Sequence, residues 1–141
     1  MSPVIPADPG VRAGMVRACV HYREGRKVAD IDLDAISDVL AVDDGSFVWV
    51  GLYEPDEALL LKLQEEFDLH PLSVEDALKA HQRPKIEAYG DSLFIVLHTA
   101  RATARCDIGV GETHVFFGPR YLVTVRHGAS LPYAAARERC E

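Results

Sequence analysis

Apolar and polar side chains alternate from Val16, with Val16, Ala18, Val20 and Tyr22 set against Arg17, Cys19 and His21. That two-residue period predicts a half-buried strand, and Glu24-Gly25 supplies a turn into a short returning strand over Lys27 to Ile31. Asp32 is placed to cap a helix carrying Leu33, Ile36 and Leu40 on one face, which stops at the breaker Asp43-Asp44-Gly45. The run Phe47-Val48-Trp49-Val50-Gly51-Leu52-Tyr53 has no alternation and is rich in β-branched and aromatic residues. It predicts a central strand covered on both faces, with Trp49 inside.

Pro55 opens a second helix whose Leu59, Leu60, Leu63 and Phe67 form an apolar stripe against Glu57, Lys62, Gln64, Glu65 and Glu66. The next stretch, Asp68 to Glu87, is the segment densest in chemistry. Pro71 suits the first turn of a helix, while Ser73 with Asp76 offers a rival capping box. On either reading Glu75 and Asp76 fall in the first one or two turns, where the helix dipole favours negative charge. With Val74 and Leu78 docking the helix, the two carboxylates point largely outward. Arg83-Pro84 predicts the break, because the residue before a proline is pushed out of the α region.

Hairpins fill the second half. Lys85 to Tyr89 reads as a strand, Gly90-Asp91 as a type II′ turn, and Ser92 to His98 as a returning buried strand. A loop of mixed polarity follows, then a hairpin from Glu112 to Phe117 and Tyr121 to Arg126 around Gly118-Pro119. Pro132 starts a helix through Tyr133, Ala136 and Cys140, and the sequence stops inside it, as a truncated chain would. Helices separating the first strands, with hairpins later, predict an α/β fold of α+β character: a mixed parallel and antiparallel sheet flanked by helices. Pattern alone leaves the strand order open.

At 141 residues and 48% hydrophobic, the chain suits one compact domain. A formal charge of −7 argues against nucleic acid as a partner, since phosphate-backbone binding needs a basic face. Cys19, Cys106 and Cys140 form no CxxC pair and read as reduced packing thiols. Residues 1–14 contain Pro3, Pro6 and Pro9 without the apolar run of a signal peptide, and are expected to be a flexible tail. No window approaches the roughly 18 apolar residues that cross a bilayer.

Candidate chemistry is sparse. Gly109-Val110-Gly111-Glu112 lacks the third glycine and the helix of a dinucleotide site. His70 and His81 flank the central helix, but eleven residues apart they match no ligand spacing. Glu75 and Asp76 are better candidates, because hard divalent cations take carboxylate oxygens, often only one or two from the protein. Lys85 and Glu87 read as an exposed strand face.

The run His70-Pro71-Leu72-Ser73-Val74-Glu75-Asp76-Ala77-Leu78, followed by His81-Gln82-Arg83-Pro84-Lys85-Ile86-Glu87, resembles the N-terminal cytoplasmic domain of the CorA family of magnesium and cobalt transporters. Phe47 to Leu52, the helix after Pro55, Leu93 to Leu97, and Phe116 to Val125 look like family segments in the family order, so the resemblance covers about Val16 to His127. It implies a CorA soluble-domain-like domain over residues 15–130, with residues 131–141 beginning a stalk helix. It also implies a longer parent: a pentameric channel in the membrane, with this soluble domain on its cytoplasmic side.

By motif, Asp76, with Glu75 beside it, is implied as one half of an intersubunit regulatory Mg²⁺ site, completed by an acidic residue on a neighbour's stalk. Intracellular Mg²⁺ would hold the closed state together, and binding to this domain alone would be weak. The family also includes zinc transporters with a related domain, so the transported ion stays open. The competing class is a soluble metal-dependent enzyme using His70, Glu75, Asp76 and His81.

Overall fold

The computed structural model describes residues 15–79, 81–102, 107–128 and 133–141. The expected tail, Cys106 and Pro132 lie outside them. β1 (Val16–Arg23) and β2 (Arg26–Asp30) form the hairpin expected around Glu24-Gly25, where both residues adopt positive φ. A 3₁₀ turn (Leu33–Ala35) leads into α1 (Ile36–Leu40), and β3 (Ser46–Tyr53), α2 (Glu57–Phe67) and α3 (Pro71–Leu78) follow. The chain then runs through β4 (Lys85–Tyr89), β5 (Ser92–Ala102), β6 (Ile108–Gly118) and β7 (Tyr121–Gly128) to α4 (Ala134–Cys140).

The strands make one seven-stranded sheet in the order β2-β1-β3-β7-β6-β5-β4. β3 and β7 pair in parallel, Val48 beside Tyr121 and Leu52 beside Val125; the other neighbours are antiparallel. The mixed sheet is therefore as expected. Val48, Val50 and Leu52 of β3 and Val123 and Val125 of β7 pack into one core with Phe94, Val96 and Phe116. The same core takes Ile36 of α1, Leu59, Leu60, Leu63 and Phe67 of α2, and Val74 and Ala77 of α3. Removing this apolar surface from water is the main force holding the helices to the sheet.

Several expectations need correction. β3 is not covered on both faces: its burial alternates, and Phe47, Trp49 and Tyr53 are only half-buried. The cause is that α1, α2 and α3 all bury residues in the core on the opposite face. The outer face is crossed in part by α4, where the Tyr22 hydroxyl donates to Glu141 Oε2 at 2.7 Å and Tyr133 meets Thr113 at 2.7 Å. Trp49 Nε1–H donates there to Thr124 Oγ1 at 3.2 Å.

The mixed-polarity loop is largely strand, because β5 and β6 stay in register out to Ala102 and Ile108. Ladder pairing there is between backbones, and the side chains carry little pattern. α2 is capped by Asp56, whose Oδ1 accepts from Leu59 N–H at 3.0 Å, one residue after Pro55. α3 ends at Leu78, well before Arg83-Pro84, and His81 then takes a φ of 71°. The Gly90 turn is as expected, its φ of 60° at the first turn position meeting the type II′ requirement.

Candidate functional site

α3 begins on Pro71 as its first residue, with His70 as N-cap; His70 Nδ1 accepts from Leu72 N–H at 3.2 Å. The rival capping box is not formed, because Ser73 points into the protein and its hydroxyl is buried without a hydrogen-bond partner among the described residues. The His70 ring also stacks on Tyr89 of β4, centroids 4.0 Å apart. Ser73, Val74 and Ala77 bury one face of the helix, and Glu75 and Asp76 fall on the other side, as periodicity requires.

The two carboxylates differ in surroundings. Glu75 is exposed and pairs with Lys79 one turn on, at 3.1 Å, an arrangement worth only a few tenths of a kcal/mol. Asp76 is half-buried, its side chain 29% exposed, and Oδ2 lies 2.6 Å from Lys85 Nζ. The same ammonium lies 2.9 Å from Glu87 Oε1 and 5.8 Å from the centre of the Phe94 ring. Asp76, which accepts the hydrogen bond from Lys85, is the largest influence raising the Lys85 pKa, followed by Glu87. Lys85 and Glu87 are thus not an exposed strand face. Register places them opposite Val96 and Phe94 on the helix-bearing side of β4.

The far end of α3 rests on a second polar group. His127 Nε2 donates to the Ala77 carbonyl at 2.8 Å, and His98 Nε2 donates to the Gln82 carbonyl at 2.6 Å. Glu112 is buried and accepts from His81 N–H at 2.9 Å and from His114 Nε2 at 3.3 Å. His114 is fully buried, 5.1 Å from the His127 ring. Burial, then the neighbouring His127, push its pKa below the ordinary imidazole value, and Glu112 opposes them.

Cavities of about 380 Å³ and 330 Å³ open at the two ends of α3, the first beside His70 and Tyr89, the second beside His81, His98, Glu112 and His127. Glu75 and Asp76 line neither. The structure therefore separates His70 and His81 to opposite ends of the helix, and among the described residues no three metal-binding side chains converge. The chemistry on offer at the acidic pair is a carboxylate surface for a cation, with Asp76 and Glu87 converging on one charged atom. Sequence reading missed Lys85 and Glu87 as members of this group. Their two-residue spacing, which puts both on one strand face, was the available signal. Glu112 had no comparable signal.

The sequence matches the CorA-like Mg²⁺ transporter protein family over residues 44–141. It is 31% identical over 96 residues to the putative metal ion transporter YfjQ of Bacillus subtilis, which covers 68% of this chain and 29% of that protein. The chain thus spans less than a third of that relative. The fold resembles the soluble domain of CorA from Methanocaldococcus jannaschii, with a TM-score of 0.57 at 16% identity, covering 89% of this chain and 46% of the other. It also resembles the ZntB cytoplasmic domain from Vibrio parahaemolyticus, with a TM-score of 0.59 at 12% identity, covering 89% and 48%. Among the described residues no helix is long and apolar enough to cross a membrane. Matched over more than half its length, the chain belongs to the family of CorA-like Mg²⁺ transporter proteins.

Proposed function

We propose that this chain is the cytosolic, Mg²⁺-sensing regulatory part of a longer CorA-type transporter of divalent cations such as Mg²⁺ or Co²⁺, with Asp76 as the sensing carboxylate and Glu75 beside it. On this reading residues 15–130 form the sensing domain and 131–141 begin the stalk helix. The observation that carries the reading is a cation already seated on Asp76: the Lys85 ammonium at 2.6 Å. A half-buried carboxylate that holds one positive charge suits a hard cation, which takes oxygen ligands. A bound divalent cation supplies the charge that lets facing carboxylates of neighbouring subunits in a pentamer lie close. The chain's own part is to hold Asp76 on a helix fixed at both ends, by the His70 cap and by His127 on the Ala77 carbonyl.

With one or two carboxylates from this domain alone, binding is weak. We expect dissociation constants in the millimolar range, about 4 kcal/mol. The test is limited proteolysis of the full-length protein with and without Mg²⁺. Asp76→Asn is expected to lose Mg²⁺-dependent protection, and unchanged protection would remove Asp76 from the mechanism. A second reading, the same domain in a zinc-transporting relative, draws on the likeness to the ZntB cytoplasmic domain. Flux measurements with Mg²⁺, Co²⁺ and Zn²⁺ on the full-length protein separate the two. The family is one of transporters rather than enzymes, and we expect no turnover from Glu75, Asp76 and the two histidines His70 and His81.

A further inference from the structure

We infer that Lys85 is a built-in counter-ion that competes with a divalent cation for Asp76, and that Glu87 is a second carboxylate of the same seat. The inference rests on the reading of Asp76 as a cation-binding residue and adds its regulation. One ammonium lies 2.6 Å from Asp76 Oδ2 and 2.9 Å from Glu87 Oε1, so two carboxylates from different elements converge on a single positive atom. They are not neighbours on one helix turn: Asp76 comes from α3 and Glu87 from β4. Glu87 Oε1 is buried and lies 2.9 Å from the ammonium without an aligned hydrogen bond, so the attraction between opposite charges is what holds it to Lys85.

Charge decides the exchange. Two carboxylates with Lys85 between them carry a net −1. A divalent cation in the place of the ammonium brings them to neutrality, while both charges held together would crowd positive charge into the seat. Binding therefore requires Lys85 to leave. Its flexible four-carbon stem lets the head swing to solvent without backbone motion, and its side chain is already 31% exposed. The protein binds Mg²⁺ through the fraction of molecules in which Lys85 is out, so the apparent affinity is lowered by that fraction. Between pulses of cation, Lys85 keeps the two carboxylates together and the seat closed.

The test is Mg²⁺ titration calorimetry on the purified 141-residue chain. Lys85→Met keeps an apolar stem over Phe94 and removes the charge; it is expected to tighten Mg²⁺ binding by about tenfold or more. Lys85→Arg, which keeps the charge, is expected to bind no tighter than wild type. Adding Glu87→Gln to Lys85→Met is expected to reverse the gain. In the wild-type chain, the Lys85 side-chain resonances are expected to shift to free-lysine positions as Mg²⁺ saturates, a measurement that stands even if Lys85→Met fails to fold. Unchanged affinity in Lys85→Met, or static Lys85 resonances at saturation, overturns the inference. If Asp76→Asn abolishes binding while Lys85→Met leaves it unchanged, the counter-ion falls and the sensing role of Asp76 stands. If Asp76→Asn changes nothing in either background, both fall.

Discussion

His114 shows how much a single buried side chain reports. It is wholly enclosed between Phe94, His127 and Glu112, and burial is the largest cause holding its pKa below the ordinary value. The sign follows: below about pH 6.5 the unfolded chain takes up a proton at this position that the folded chain refuses. Stability from His114 is therefore present above that pH and lost as pH falls through it, at a rate of at most about 1.4 kcal/mol per pH unit. Thermal melts between pH 7.5 and 5.5 are expected to show a falling midpoint that flattens in His114→Gln. A wild-type midpoint independent of pH across this range would mean that the imidazole charges without cost. Cys19 is a quieter case: burial pushes its thiol up to about 12, so it behaves as the packing residue that its isolation in the sequence suggested.

At the scale of elements, what was legible depended on whether the determinant is local. The turn at Gly90, the stripe of α2 and the outward Glu75-Asp76 pair depend on residues a turn or less apart, and all three form. The parallel pairing of β3 with β7 joins Val48 to Tyr121 across more than half the chain, and no local pattern encodes it. The spacing of Lys85 and Glu87 puts them on one strand face, but their pairing with Asp76 exists only once β4 lies beside α3. Helix starts fell between these limits. Asp56 caps α2 through its side chain, whereas Asp32, the expected cap of the first helix, makes no such bond. Asp56→Ala is accordingly expected to cost about 1 kcal/mol in urea unfolding, with Asp56→Asn recovering most of it. Asp32→Ala is expected to cost measurably less; equal losses would show that the side-chain bond is not what stabilises the α2 start.

The whole molecule sets how far this chain can assemble by itself. Its sheet ends on β2 and β4, strands of five residues each carrying Arg26, Lys27 and Asp30 on one side and Lys85 and Glu87 on the other. Short, charged edges resist strand-to-strand addition. Across the outer face, register aligns Trp49, Leu122, Phe117 and Leu93 in a row, but all except Phe117, at 45%, are only half-buried rather than bare. Ile86 and Leu97 add exposed apolar surface on the same face, but a net charge of −7 opposes pairing through repulsion between copies. Light scattering on this chain at micromolar concentration is therefore expected to give mainly monomer, with any weak dimer rising as salt screens the charge. A stable pentamer under those conditions would instead place a complete assembly interface within these 141 residues. On the proposed reading, a cation at Asp76 would then tune a ring that already exists, rather than helping to hold one closed.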